Sequence, residues 1–197
     1  GPSRTDSGVH ALGYVCHVIS DKAYSENTVL KALNNTVGPH VSVLSCEIVT
    51  DDFHARYSAV SKEYHYVIYN SEIPDPFLVS RAWFYPKRLD EKRMNEAAGA
   101  LVGEHDFSSF MASGSKIQDT VRTIYKAEVV REGDKVVLKI LGNGFLYNMV
   151  RIIAGTLVDI ERGKISLSME EIIDSRNRSC AGVTAPPDGL YLYRVNY

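Results

Sequence analysis

Two runs of alternating apolar residues, Val121 to Val130 and Lys135 to Leu141, flank the turn triplet Glu132-Gly133-Asp134. A period of two sends successive side chains to opposite faces, so the pair reads as a β-hairpin with one buried side. The chain then changes period. After Gly142 and Gly144, the stretch from Phe145 to about Arg162 lines up Phe145, Met149, Ile152, Ile153, Leu157 and Ile160 on one helical face, while Asn148, Arg151 and Gly155 share another. A hairpin followed by an apolar-faced helix suits a layered α+β fold, in which helices cover one face of a sheet.

The remaining segments agree. His10 to Ile19 alternates as a strand, Glu26 to Asn34 sets Val29, Leu30 and Leu33 on one side of a helix, and Gly38-Pro39 breaks the chain before a strand at Val41 to Val49. Glu63 to Asn70 reads as a strand with Tyr64, Tyr66 and Ile68 on one face. Asp90 is placed as a helix N-cap, with Leu89 and Met94 as its hydrophobic staple, Met94, Ala97, Ala98, Leu101 and Val102 as its buried stripe, and Gly103 as its C-terminal cap. Ser168-Met169-Glu170-Glu171 has capping-box spacing and opens a helix to about Asn177, and Pro186-Pro187-Asp188-Gly189 turns into a last strand, Leu190 to Asn196. The order β-α-β-β-α-β-β-α-α-β predicts a mostly antiparallel sheet with helices on one face, in two ferredoxin-like lobes. Ser71 to Pro86 is the candidate boundary, separating an N-terminal lobe (1–75) from a C-terminal lobe (76–197) that share one sheet and one cleft.

Composition narrows the function. With 197 residues, 45% hydrophobic and 23% charged, the chain can bury a sizeable core, and it has no apolar run near the ~20 residues of a membrane helix. The expectation is a soluble, cytoplasmic protein with no membrane partner. Cys16, Cys46 and Cys180 are odd in number and far apart, and the six histidines lack ligand spacing, so neither disulfide nor metal is predicted. A net charge of −2 is unlike a protein that binds mainly through phosphates, although Arg81, Lys87, Arg88, Lys92 and Arg93 concentrate basic charge in one segment.

The chemistry-bearing stretch is Arg4-Thr5-Asp6-Ser7-Gly8-Val9-His10-Ala11, a carboxylate on a short turn entering an apolar strand. A carboxylate on a rigid turn can act on an electrophilic carbon, and Gly8 permits a positive φ beside it. Asp, Ser and Gly also gather in ordinary turns, so the octet alone fits either role.

The octet resembles the catalytic signature of the TruA family of tRNA pseudouridine synthases, and four further blocks in order extend the resemblance: Asp51 to Ala59 with Lys62 to Tyr66, Gly103 to Phe110, Gly144 to Arg151, and Gly189 to Leu192. Matched position by position, the resemblance implies Asp6 as the catalytic aspartate, Tyr64 as the active-site tyrosine, Arg151 as the basic residue that forms an ion pair with Asp6, and Arg4 and Arg56 as RNA contacts. It implies isomerisation of uridine in RNA by breaking the N-glycosidic bond and rejoining the ribose through carbon, without a cofactor. The route is open between attack by Asp6 on the sugar or base and removal of a ribose proton, and Tyr64 is assigned to stacking with transfer of the C5 proton as a further role. The implied substrate is the anticodon arm of tRNA on its 3′ side, and the implied active form is a homodimer. Family members carry a further strand and helix ahead of the signature, which starts here at once, so an exposed sheet edge is expected. The alternatives are a non-catalytic ferredoxin-like module stacking RNA bases on Tyr64, Tyr66 and Tyr69, an inactive fragment of such an enzyme, and a carboxylate-dependent hydrolase, for which no second acid is found.

Overall fold

The structure, a computed structural model, describes residues 1–2, 5–115 and 117–197. In chain order the elements are β1 (His10–Ala11), α1 (Glu26–Thr36), β2 (Ser61–Tyr69), β3 (Trp83–Phe84), α2 (Glu91–Gly99), β4 (Gly103–Asp106), β5 (Val121–Glu132), β6 (Lys135–Gly142), α3 (Met149–Glu161), α4 (Met169–Ser175) and β7 (Leu190–Asn196). The strands form one sheet, β1-β7-β2-β6-β5-β4, with β3 alongside the end of β2. β1–β7 and β2–β3 are parallel and every other pairing is antiparallel. Strands from both sides of residue 75 therefore pair within one sheet.

The expected period of two on β2 sets the core. Tyr64, Tyr66 and Ile68 stand directly across from Ile140, Leu138 and Val136 of β6, and all six are buried. α2, α3 and α4 contribute Met94, Ala98, Ile152, Ile153, Leu157, Met169, Ile172 and Ile173 to the same core. The other face of the sheet is only partly covered, and there His65 stacks on Tyr193 with ring centroids 4.0 Å apart. Asp90 caps α2 by accepting from the Lys92 and Arg93 amides, and Ser168 with Glu171 completes the capping box of α4.

Several expected boundaries move. The strand expected over His10 to Ile19 pairs only at His10 and Ala11, because the amides of Leu12 and Gly13 both turn onto the Leu192 carbonyl and end the ladder. No strand forms over Val41 to Val49. There the α1 side chains engage the backbone: Asn34 bonds both the amide and the carbonyl of Val43, and Glu26 accepts from the Ile48 amide. Gly103 does not cap α2, which ends at Gly99 with Ala100 as its cap, but opens β4 opposite Ile124. The third helix starts at Met149 rather than Phe145.

Asn70, just past β2, is marked by no sequence pattern and is a buried hub. Its side-chain Nδ2 donates to the carbonyls of Tyr85 and Lys87 at 2.9 and 2.7 Å, and its Oδ1 accepts from the Leu89 amide and Arg131 Nη2. Asn70→Ala removes four hydrogen bonds, including the one that satisfies the buried Leu89 amide, and is expected to cost about 3 kcal/mol. In a chain this size that corresponds to a midpoint lowered by roughly 6–12 °C, measurable by thermal unfolding.

Candidate active site

Asp6 starts a tight turn in which the Val9 amide donates to the Asp6 carbonyl at 3.2 Å and Gly8 takes φ +83°. A left-handed third residue is what a type II turn requires, and glycine supplies it without steric cost. The turn feeds directly into β1, whose parallel register on β7, His10 to Tyr191 and Ala11 to Leu192, fixes where the carboxylate hangs.

Arg151 comes from the first turn of α3. Asn148, at the N-cap, sits in the left-handed region at φ 60° and makes no capping bond; its Oδ1 instead accepts from Arg151 Nη1 at 2.8 Å. Arg151 Nε donates to the Ala185 carbonyl at 2.8 Å, and the Arg151 carbonyl accepts from the Ala185 amide at 3.1 Å. Held on these sides, the guanidinium reaches Asp6 Oδ2 at 3.3 Å. Tyr64 lies inward on β2 with its ring edge-on to Phe145, centroids 5.1 Å apart. Phe145 reaches that position because residues 145–148 are a loop and not the first turn of the helix.

Asp6, Tyr64 and Arg151 line one cleft of about 750 Å³, together with Arg56, Lys62 and Leu190. That volume lies in the usual range for a small-molecule site and accommodates a nucleotide. Arg4 lies outside the described residues. The stacking platform of Tyr64, Tyr66 and Tyr69 does not form. Tyr66 is fully buried, with its hydroxyl donating to the Pro186 carbonyl at 2.7 Å, and Tyr69 falls on the opposite face by strand alternation. Burial pushes the Tyr66 phenol well above the ordinary tyrosine range despite the opposing charge of Arg151, so it stays a donor. Among the described residues no cluster of three or more His, Cys, Asp or Glu is arranged to hold a metal ion, and no helix is long and apolar enough to cross a membrane.

In the segment Gly182–Leu192, the turn and last strand from Pro186 onward are marked by sequence pattern, whereas Gly182–Ala185 is not. Gly182 and Val183 are tied to α3 through Thr156 Oγ1 and Asp159 Oδ2, Ala185 grips Arg151, Pro186 takes the Tyr66 hydroxyl, and Tyr191 and Leu192 carry β1. One strap thus registers three otherwise distant elements. Comparison with known proteins adds the family. A tRNA pseudouridine synthase profile matches residues 97–197, which include Arg151 and the whole strap. The tRNA pseudouridine synthase A of Bacillus licheniformis is 48% identical over 195 residues, spanning 98% of this chain and 79% of the relative. The chain belongs to the TruA family of tRNA pseudouridine synthases. The proteins of that name from Bacillus subtilis and Acetivibrio thermocellus are 46% and 45% identical, over 98% and 100% of this chain and 79% and 81% of theirs. This synthase is accordingly an isomerase, and its aligned length takes in the Asp6 turn and β2 as well as α3.

Proposed function

We propose that this cleft receives a uridine flipped out of tRNA, on the 3′ side of the anticodon arm, and isomerises it to pseudouridine. The observation that carries the reading is the convergence of Asp6, Tyr64 and Arg151, from a turn, a strand and a helix, on one nucleotide-sized hollow. A base stacked in a stem is out of reach, so extrusion costs a few kcal/mol, which contacts to the flipped nucleotide must offset. Asp6 begins the reaction as a carboxylate, with Arg151 placed to balance its charge, and detachment and rejoining at carbon leave uridine's atoms unchanged in number. Tyr64 packs against the base, and its phenol assists departure of the C5 proton to solvent. No cofactor is consumed. The active species, in the same reading, is a homodimer that holds one tRNA from two subunits.

The test is tritium release from tRNA carrying [5-³H]uridine, followed by mapping of pseudouridine in the product. Release at anticodon-arm uridines is the expected result, and intact label after prolonged incubation would refute the reading. Tyr64→Phe is expected to lower kcat by about 10²-fold with KM nearly unchanged, as the loss of an assisting proton-transfer group would do. A phenylalanine variant with wild-type kcat would reduce Tyr64 to stacking alone.

A further inference from the structure

Beyond Asp6 and Arg151, the cleft holds two more charged side chains among its described lining residues, Arg56 and Lys62, and both are cations. Asp6 is the one carboxylate in that described lining, and Arg151 already engages it. A chain of net charge −2 therefore keeps a locally positive hollow.

Lys62 stands two residues before Tyr64 on β2, so both side chains leave the same face of the sheet. Its neighbour across the ladder on β6 is Gly142. The ammonium donates to the Pro2 carbonyl at 2.7 Å, and among the described residues it has no carboxylate partner. Arg56 is exposed, makes no ion pair among the described residues, and lies with its guanidinium 5.9 Å from the ring centre of Tyr57. Burial, and then the nearby charge of Arg56, pull the Lys62 pKa below the ordinary lysine value. Two cations lining one cleft, neither with a carboxylate partner among the described residues, leave a site suited to an entering anionic group.

We infer that Lys62 and Arg56 form a clamp for an RNA backbone phosphate flanking the flipped uridine, with Lys62 as a positioning residue for the reaction. This rests on the proposal that the cleft takes a uridine of tRNA. The base is neutral, whereas phosphodiesters on either side of it are the anions that such a substrate brings to the rim. A guanidinium offers a planar fork and an ammonium a compact charge, and the two together suit a tetrahedral anion approached from two directions. The clamp would hold the strand in register while Tyr64, one alternation further along β2, meets the base.

The experiment measures binding of a synthetic anticodon-arm hairpin over a salt series, alongside steady-state kinetics, for the wild type, Lys62→Met and Lys62→Arg. Every phosphate that a cation neutralises steepens the fall of log K with log salt by about 0.7–0.9, so removing one such cation flattens the slope by that amount. Lys62→Met is expected to show that flattening, with Kd raised five- to twentyfold at low salt and KM rising more than kcat falls, while Lys62→Arg recovers most of the affinity. A hairpin whose phosphate next to the target uridine is replaced by a neutral methylphosphonate should bind the wild type and Lys62→Met alike. An unchanged salt slope in Lys62→Met overturns the clamp, and a lowered melting temperature beside that unchanged slope assigns Lys62 to anchoring Pro2 instead. The salt slope needs no turnover. Wild-type protein that binds the hairpin but releases no tritium refutes the proposed reaction and leaves the clamp judged by its own readout.

Discussion

Asp6→Asn is expected to reduce tritium release from C5-labelled tRNA by more than about 10⁴-fold, on the order of 5 kcal/mol of transition-state stabilisation, while tRNA binding stays within a few-fold of wild type. The amide keeps the shape and size of the carboxylate but supplies neither a nucleophilic anion nor a base. The fold should tolerate it. Asp6 contributes to the turn through its backbone carbonyl, which asparagine retains, and asparagine is at home at such positions. The ion pair with Arg151 is partly exposed, 36% on the Asp6 side, so its loss should cost folding about 1 kcal/mol or less. Arg151 also keeps its bonds to Asn148 and Ala185 in the variant. A melting temperature near wild type together with abolished release identifies a chemical role, whereas a variant that turns over at even a tenth of the wild-type rate would remove Asp6 from the chemistry.

What could be read beforehand follows the range of the interactions involved. The β5–β6 hairpin, the inward face of β2, the Asp90 cap and the Ser168 capping box depend on residues within a few positions of one another, and local pattern exposes such features. The extent of β1 and the absence of a strand over Val41 to Val49 depend on which groups lie nearby in space: the Leu192 carbonyl takes two amides at once, and Asn34 takes both backbone groups of Val43. Neither partner is visible from the segment itself. The candidate site divides in the same way. Asp6, Tyr64 and Arg151 are legible through resemblance to a family signature, and Asn148 and Gly155 are legible as sharing a helix face with Arg151. That the face is covered by the strap at Gly182–Ala185 is not, because the strap has no regular period and works through backbone amides and carbonyls. Lys62 does carry a signal in its period-two relation to Tyr64, but a lone lysine on a strand is ordinarily a solvated side chain, and only the cleft around it changes that reading.

The strap makes a second large effect predictable at a residue that touches no substrate. Gly155 lies one helical turn beyond Arg151, and a Cβ added there would stand 1.9 Å from the Val183 carbonyl oxygen and 2.9 Å from its carbon. Those are backbone atoms of a segment bonded to α3 at Thr156, Asp159 and Arg151, so relief requires the strap itself to move outward by roughly an ångström or more, the distance needed to restore ordinary van der Waals spacing. Helix propensity pulls the other way, since alanine in place of glycine ordinarily gains up to about 1 kcal/mol in a helix interior. Crowding against fixed backbone exceeds that gain, and Gly155→Ala is expected to destabilise the protein by about 2–3 kcal/mol net. Activity should fall further than stability accounts for. Ala185 is the strap's grip on Arg151 and Leu192 carries β1 behind Asp6, so displacement separates the two members of the ion pair, and misplacement on that scale costs on the order of 10²-fold in rate in the folded fraction. Gly99, at the end of α2, supplies the control, because nothing lies within 4 Å of a Cβ there. Gly99→Ala should leave the melting temperature unchanged or slightly raised with full activity. If Gly155→Ala behaved like Gly99→Ala in both denaturant titration and single-turnover kinetics, the strap would not be what aligns Arg151 with Asp6.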